Sequence, residues 1–433
     1  MRKTYLALLA AGALGCSPAY AADLMQVYKQ ALSNDAQYAS ARAAQIAGQE
    51  KVVQGRSLVL PTVGLSGNVT RSDTDFLAST GTVNRSSTSR EIKIALSQPL
   101  YEPARWEQYE QAKLAGALSE VQFAQAKQEL ILRVAQAYFD VLTAQDTLEA
   151  VKAQKTATAE QLASAKRNFE VGTQTITDTH EAQARYDLIM AQEFAAQADL
   201  DIKRTALLQI TGQDPGALAP LRANVSISAP QPAKVEDWVL AAEKQNTGVQ
   251  SADIAYNIAK SEIKRSRAGH MPTVDLFAWH SRGRGGLSGD NNNNTIGVQW
   301  SVPLFAGHAI TSKVRESIAQ EDKARNDLES AKRAASFGAR QAFLGVSSGL
   351  AQVKALEAAE LSSKSALDSN KLGYQVGVRI NIDVLNAQQQ VYSTRKDLSR
   401  ARNDTLVNGL RLKSAAGTLK EEDLAQINAL LQN

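Results

Sequence analysis

From about Pro103 to Asn168 the chain carries one helical pattern that no proline, and beyond Gly116 no glycine, interrupts. Ile131, Val134, Tyr138, Val141 and Leu148 recur on one face at helical spacing. At 1.5 Å per residue a helix of this length is about 100 Å long. A second such stretch runs from about Ala306 to Leu372. After each, a Val-Gly turn (Val171-Gly172; Val376-Gly377) precedes a returning helix of about 35 residues, ending near Gly212 or Gly417. A helix this long cannot be the core of a globular domain. It must lie in a coiled coil or in a barrel of helices.

The two stretches belong to an internal repeat. Phe169-Glu170-Val171-Gly172 returns as Tyr374-Gln375-Val376-Gly377, an offset of 205 positions, and Asp178 meets Asp383 at the same offset. Ser97-Gln98-Pro99-Leu100 returns as Ser301-Val302-Pro303-Leu304, and Leu60-Pro61-Thr62-Val63 as Met271-Pro272-Thr273-Val274. Two copies of one supersecondary unit are expected, over 22–220 and 221–433.

Each copy opens with a helical stretch, Leu24 to Ser57 and Val235 to Arg267, that ends just before Pro61 or Pro272. Two alternating segments follow in each copy, within about 61–101 and 272–304. Val63, Leu65 and Val69, then Ile92, Ile94 and Leu96, mark the first pair. Val274, Leu276 and Ala278, then Ile296, Val298 and Trp300, mark the second. Period two predicts strands with two unlike faces. The Ser-, Thr-, Gly- and Asn-rich stretches between them, Arg71 to Ser89 and Arg282 to Asn294, read as loops. Phe277, Trp279, Trp300 and Tyr101 fall on these strands, with a lipid-facing or interfacial place expected for them.

Arg2 and Lys3, the apolar run Tyr5 to Leu14 and the small-residue exit Ala19-Tyr20-Ala21 describe a secretory signal over 1–21. Acylation of Cys16, the only cysteine, is the alternative reading of the same segment. Cleavage after Ala21 leaves no cysteine and hence no disulfide. No later run of about 18 apolar residues occurs, so any membrane passage must use strands. Hydrophobic residues make up 44% but aromatics only 6%, which suits helices packed closely along their length rather than a large compact core. The net charge of +4 shows no basic concentration of the kind nucleic acid requires. His180, His270, His280 and His308 are scattered without ligand spacing, so neither a metal nor another cofactor is expected. No nucleophile–base pair and no phosphate loop is present, which speaks against an enzyme.

Ala22 through Tyr28, the Leu60-Pro61 and Met271-Pro272 strand starts, Val376-Gly377-Val378-Arg379 through Leu385, and Leu410 through Leu424 resemble the TolC family of outer-membrane export channels. The last of these looks like the family's closing helix. The resemblance covers essentially the whole chain after the signal. It implies a mainly helical fold with a membrane β-barrel. Three chains would each give four strands to one barrel and their helices to a tunnel with an equatorial belt. It also implies a Gram-negative outer membrane, a periplasmic adaptor, and an inner-membrane ABC, RND or MFS exporter as partners.

The resemblance further implies a tunnel pinched at its periplasmic end. Asp383 matches a position that forms an acidic ring there, and Asn386 the next ring position on the same helix face. Tyr374 and Arg379 match latch residues that engage Thr177 and Asp178, Arg402 matches a further linking position, and Arg167 stands at another where relatives carry Gln. For Asp178 the alternative is helix capping in a box with Glu181. For Arg167 and Arg402 it is a solvated helix face. Gly172 and Gly377 are the turn glycines of that end. The function implied is a gated passive duct for type I secretion, drug efflux or both. A dedicated small-molecule efflux duct is one rival, and a pore-less periplasmic coiled-coil adaptor is another that the four strands oppose.

Overall fold

A computed structural model describes residues 21–78, 81–222, 225–285 and 289–432. The expected signal segment, apart from its last residue, lies outside the described residues. The elements in chain order are α1 (Leu24–Asn34), α2 (Ala36–Ser57), β1 (Thr62–Ala78), β2 (Gly81–Tyr101), α3 (Pro103–Glu170) and α4 (Ile176–Thr211). Then follow α5 (Val235–Gln245), α6 (Thr247–Ala268), β3 (Thr273–Gly285), β4 (Asn291–Ser301), α7 (Ala309–Gln375), α8 (Asn381–Ala415) and α9 (Glu421–Asn428). The long helices α3 and α7 have 68 and 67 residues, as the uninterrupted patterns predict.

The leading helices depart from expectation, because each copy has two where the sequence reads as one. Asp35 separates α1 from α2 with an extended backbone, ψ 116°. Its buried carboxylate accepts from the Tyr38 amide at 2.7 Å and from Arg133 at 2.8 Å. Asn246 breaks the second copy in the same way, ψ 130°, and its side chain donates to Ala415 O at 2.9 Å. Both breaks are made by short polar side chains that satisfy backbone groups in place of a helical turn. The closing segment also divides, with α8 stopping before Gly417 and α9 starting four residues beyond it.

Contacts divide the chain into two compact units, each drawn from both halves of the sequence. The first comprises the described residues of Met1–Ala41, Gln125–Asn246 and Arg333–Asn433. Its main core gathers Leu24, Val27 and Tyr28 of α1, Leu130 through Leu148 of α3, and Leu424 and Ile427 of α9. Two isolated bridges tie loops to it, Ala22 with Leu218 and Leu221 with Leu431. The buried Tyr138 hydroxyl lies 2.8 Å from Ala219 O and 3.2 Å from Ala22 O, so it anchors the first of these bridges.

The second unit comprises Arg42–Ala124 and Thr247–Lys332. Here α2 meets α3 at glycine contacts: a Cβ on Gly48 would lie 2.3 Å from the Ser119 Cβ, and one on Gly55 2.3 Å from the Ala112 Cβ. The small-residue composition is therefore spent on close helix approach. The unit also holds one antiparallel sheet, ordered β1-β2-β3-β4.

The strands are longer than the hydrophobic alternation alone indicates. Pairing of β1 with β2 continues through Arg71↔Thr88 and Asp75↔Asn84 to Ala78↔Gly81, and β3 with β4 through Arg282↔Asn292. The stretches read as loops are thus largely hairpin strands, because ladder pairing satisfies the backbone whatever the side chains are.

Register separates the two faces of the sheet. Val63, Leu65 and Val69 share one with Ile92, Ile94 and Leu96. The same face carries Leu276 and Ala278 opposite Val298 and Ile296. Val274 pairs with both Tyr101 and Trp300, forming a row on that apolar face at the end of the strands next to the helices. Phe277 and Trp279 do not join it, so of the lipid-facing or interfacial places expected for them the lipid-facing one is corrected. They lie on the other face, opposite Ser97 and Ala95, in the strand positions adjoining Asp275 and Ser281. There the two rings stack at 5.0 Å, and the Lys93 ammonium sits 4.4 Å from the Trp279 ring centroid. The Phe277 ring covers Gly297, where a Cβ would come within 2.6 Å. Aromatic side chains fit the polar face because cation–π contact and a facing glycine accommodate them there.

Candidate functional site: the helical hairpin tips

Two helical hairpins of the first unit end in near-identical turns. In the first, α3 closes with Gly172 N donating to Phe169 O at 3.0 Å and Thr173 N to Asn168 O at 2.8 Å. In the second, α7 closes with Gly377 N donating to Tyr374 O at 3.1 Å and Val378 N to Gly373 O at 2.8 Å. Gly172 and Gly377 both take φ +79°, a left-handed backbone that side chains with a Cβ resist. Leu162 and Ala165 of α3, Ala182 of α4 and Leu385 of α8 pack together beside the turns. Tyr374 packs on a neighbouring cluster of Leu367, Val384 and Val391.

The starts of the returning helices differ between the two copies. At α4 the N-cap is Thr175, and Asp178 is the third helical residue. The Thr175 hydroxyl receives the Asp178 amide at 3.3 Å, and an Asp178 carboxylate oxygen accepts from Thr175 N at 3.2 Å and from its hydroxyl at 2.9 Å. Asp178 therefore takes part in a capping box, but as its acidic third member with Thr175, not with Glu181 as expected.

At α8 the N-cap position is Ile380, which has no side-chain acceptor. Asp383, equivalent to Asp178, accordingly has no capping hydroxyl. It faces Arg379 instead, Nη1 to Oδ2 3.7 Å, with both side chains partly exposed. The second carboxylate is the less committed of the pair, and that follows from Ile standing where Thr stands in the first copy.

Tyr374 accepts at its hydroxyl from the Gln174 side-chain amide, a contact between the two turns. Arg379 lies against Gly373, where a Cβ would sit 2.8 Å from the Arg379 Cγ. Thr177 and Arg167 are exposed. Arg402 is mostly covered and pairs with Glu357 at 2.7 Å, joining α8 to α7. Arg395 and Glu360 repeat that link at 3.0 Å.

Three polar residues here escaped sequence reasoning. Arg185 on α4 donates through Nη1 to Gln389 Oε1 at 2.6 Å and through Nη2 to Asn386 Oδ1 at 2.9 Å. Gln174 reaches Tyr374. Asn381, the first residue of α8, is buried and accepts from Gln161 of α3. None sits in a motif; the repeat itself was the available signal, since it aligns Asn381 with Ile176 and so exposes a polar residue where the first copy is apolar. Farther from the turns, burial pushes the Asp146 carboxyl up, partly offset by a hydrogen bond from Ser399.

Paired long helices, two-residue-period strands and a repeated turn are a framework for a passage, with no assembled acid–base constellation at the tips. The sequence profile described as outer membrane efflux protein matches residues 27–213 and 238–418. The chain belongs to the outer membrane efflux protein family. It is 35% identical over 443 residues to the outer membrane protein TolC of Vibrio cholerae, covering 99% of both chains. It is 32% identical over 421 residues to the alkaline protease secretion protein AprF of Pseudomonas aeruginosa, covering 95% of this chain and 88% of that one. The fold matches the crystal structure of the outer membrane protein VceC of Vibrio cholerae with a TM-score of 0.79 at 18% identity, over 91% of this chain and 96% of that one. Outer membrane efflux proteins are transport proteins of Gram-negative outer membranes, and this chain is an outer-membrane exit duct of that family. Among the described residues no helix is long and apolar enough to cross a membrane.

Proposed function

We propose that this protein is one protomer of a homotrimeric, gated, passive channel-tunnel. An inner-membrane ABC, RND or MFS exporter would supply the energy, and a periplasmic adaptor would join the two. The observation that carries this reading is the open sheet. Its order leaves β1 and β4 each with an unpaired edge, while one face carries an apolar patch with residues from all four strands at the helix-side end. Backbone groups on an open edge cannot stay unsatisfied in lipid, so copies must close the sheet between them. Two copies would give eight strands, an interior that side chains fill; three give twelve and leave a lumen.

On this reading the signal is residues 1–21, and the repeats 22–220 and 221–433 supply equivalent hairpins. Asp383 forms the main ring of the constriction and Asn386 a polar ring one turn on. Tyr374, Arg379, Thr177 and Asp178 form the latch, with Arg402 and Arg167 as outer links and Gly172 and Gly377 as its turns. The partly exposed, uncapped Asp383 supports the ring assignment, and the Gln174–Tyr374 contact supports a latch at the turns. Protein secretion is favoured by the resemblance to AprF, whose name specifies protease secretion, alongside efflux.

Deleting the gene in its host tests both cargo classes together. Export of a protein substrate of an ABC exporter and resistance to dyes and detergents should both fall, and expression of the chain should restore them. Intact export and intact resistance, in the deletion strain, would overturn the duct reading. Loss of resistance alone would reduce it to a small-molecule duct.

A further inference from the structure

We propose that the apolar face of the sheet ends in a binding site for the phosphates of an outer-leaflet glycolipid, built by Arg90, Arg282 and Arg284. The inference rests on the outer-membrane location and the sheet register, and is independent of the gate.

Toward the hairpin ends this face turns polar, on β3 and β4 from His280 and Asn294 and on β1 and β2 beyond Val69 and Ile92. Arg90 on β2 stands directly opposite Arg284 on β3, and Arg282 stands opposite Ile92 in the next row of the same face. All three arginines are exposed. Like charges directly opposite one another destabilise a sheet, so such a pair asks for an anion between them. Arg284 has a partial partner in Asp290 at 3.2 Å, and Arg71, further out on the same face, has Asp73 at 3.6 Å. Among the described residues no ion pair involves Arg90 or Arg282.

Height decides what the anion is. The row Tyr101–Val274–Trp300 marks the helix-side edge of the apolar band. From Val274 to Arg282 is eight residues along β3, about 26 Å of strand. With the usual membrane-strand tilt that is about 20 Å of height, and Arg284 brings it to about 25 Å, the thickness of an outer-membrane apolar band. The guanidinium groups therefore lie at the outer boundary of the lipid tails. The outer leaflet of a Gram-negative membrane places glycolipid phosphates at that level. A guanidinium binds phosphate through two parallel N–H bonds, which a lysine cannot reproduce. Asn292, opposite Arg282, and Asn294, whose side chain meets His280 Nδ1 at 2.6 Å, add amides beside the arginines for the sugar.

Native mass spectrometry of the full-length protein, purified in detergent and exposed to defined lipids, tests the site. Wild-type protein should retain diphosphorylated lipid A, and R90Q/R282Q/R284Q should retain at least about tenfold less. Dephosphorylated lipid A should bind wild type as weakly as diphosphorylated lipid A binds the variant. Inorganic phosphate at millimolar concentration should neither bind detectably nor displace the lipid. The variant R90K/R282K/R284K, which keeps the charge, should show intermediate retention and serves if the glutamine variant does not fold. Equal retention by wild type and the lysine or glutamine variants would overturn the proposal. So would equal retention of the dephosphorylated lipid, or displacement by inorganic phosphate alone.

Discussion

Replacing Tyr374 by Phe and Arg379 by Ser in the same chain raises the single-channel conductance of the reconstituted duct severalfold. The Tyr374 hydroxyl is the acceptor that Gln174 uses to join the two turns, and Phe removes it without removing the ring packed on Leu367 and Val384. Arg379 faces Asp383 and packs its stem on Gly373. A neutral hydrogen bond contributes roughly 1 kcal/mol net, and a partly exposed ion pair such as Arg379–Asp383 about 0–1 kcal/mol. Repeated in every protomer, these contacts approach the roughly 5.5 kcal/mol that separates a mostly closed from a mostly open population. Mean conductance in planar bilayers is the readout, with an expected rise of at least about fivefold. The variant Gln174→Ala should give an intermediate value, because it deletes the donor and leaves Arg379 in place. Unchanged conductance in a double variant that still migrates as an intact oligomer would remove both residues from the gate.

Asp383→Ala should weaken block by divalent and trivalent cations from the periplasmic side by at least tenfold, on the order of 1.4 kcal/mol. It should also lower the preference for cations. Carboxylates gathered round one narrow axis attract a polyvalent cation, and rings of this kind set selectivity in cation pores. The local structure separates Asp383 from its repeat partner: Asp178 is held by Thr175, whereas Ile380 leaves Asp383 without a capping hydroxyl. Asn386 is neutral and already accepts from Arg185, so the second ring offers a cation little. Asn386→Asp should tighten the block, but less than a free carboxylate would, since Arg185 remains beside it. If Asp383→Ala leaves blockade and selectivity intact, Asp383 is only a first-turn acid complementing the helix dipole.

The sequence made the large-scale design legible because length and period are read directly from it. The uninterrupted patterns from Pro103 and Ala306 become helices of 68 and 67 residues, and the alternating segments become four strands. Its failures are local. Asp35 and Asn246 read as ordinary helix residues, since nothing in a linear pattern shows that their side chains will take over backbone hydrogen bonds. The hairpin ends read as loops because their side chains lack an apolar face, although ladder pairing does not depend on one. For Phe277 and Trp279 an apolar side chain in a membrane strand suggests a lipid-facing or interfacial place, but the alternation with Leu276 and Ala278 puts them on the opposite face. At the tips the repeat located the turns, but the true capping partner of Asp178 and the reach of Arg185 from one helix to another needed three dimensions.

The most direct test of a shared, conducting barrel is to measure mass and current on the same preparation. Protein purified in detergent should be monodisperse near three times the 46.6 kDa chain mass, less the signal segment. It should convert to monomer on heating, and should open discrete ion-conducting channels when added to one side of a planar bilayer. A monodisperse monomer that inserts into bilayers by itself, or a trimer that inserts without conducting, would contradict the account.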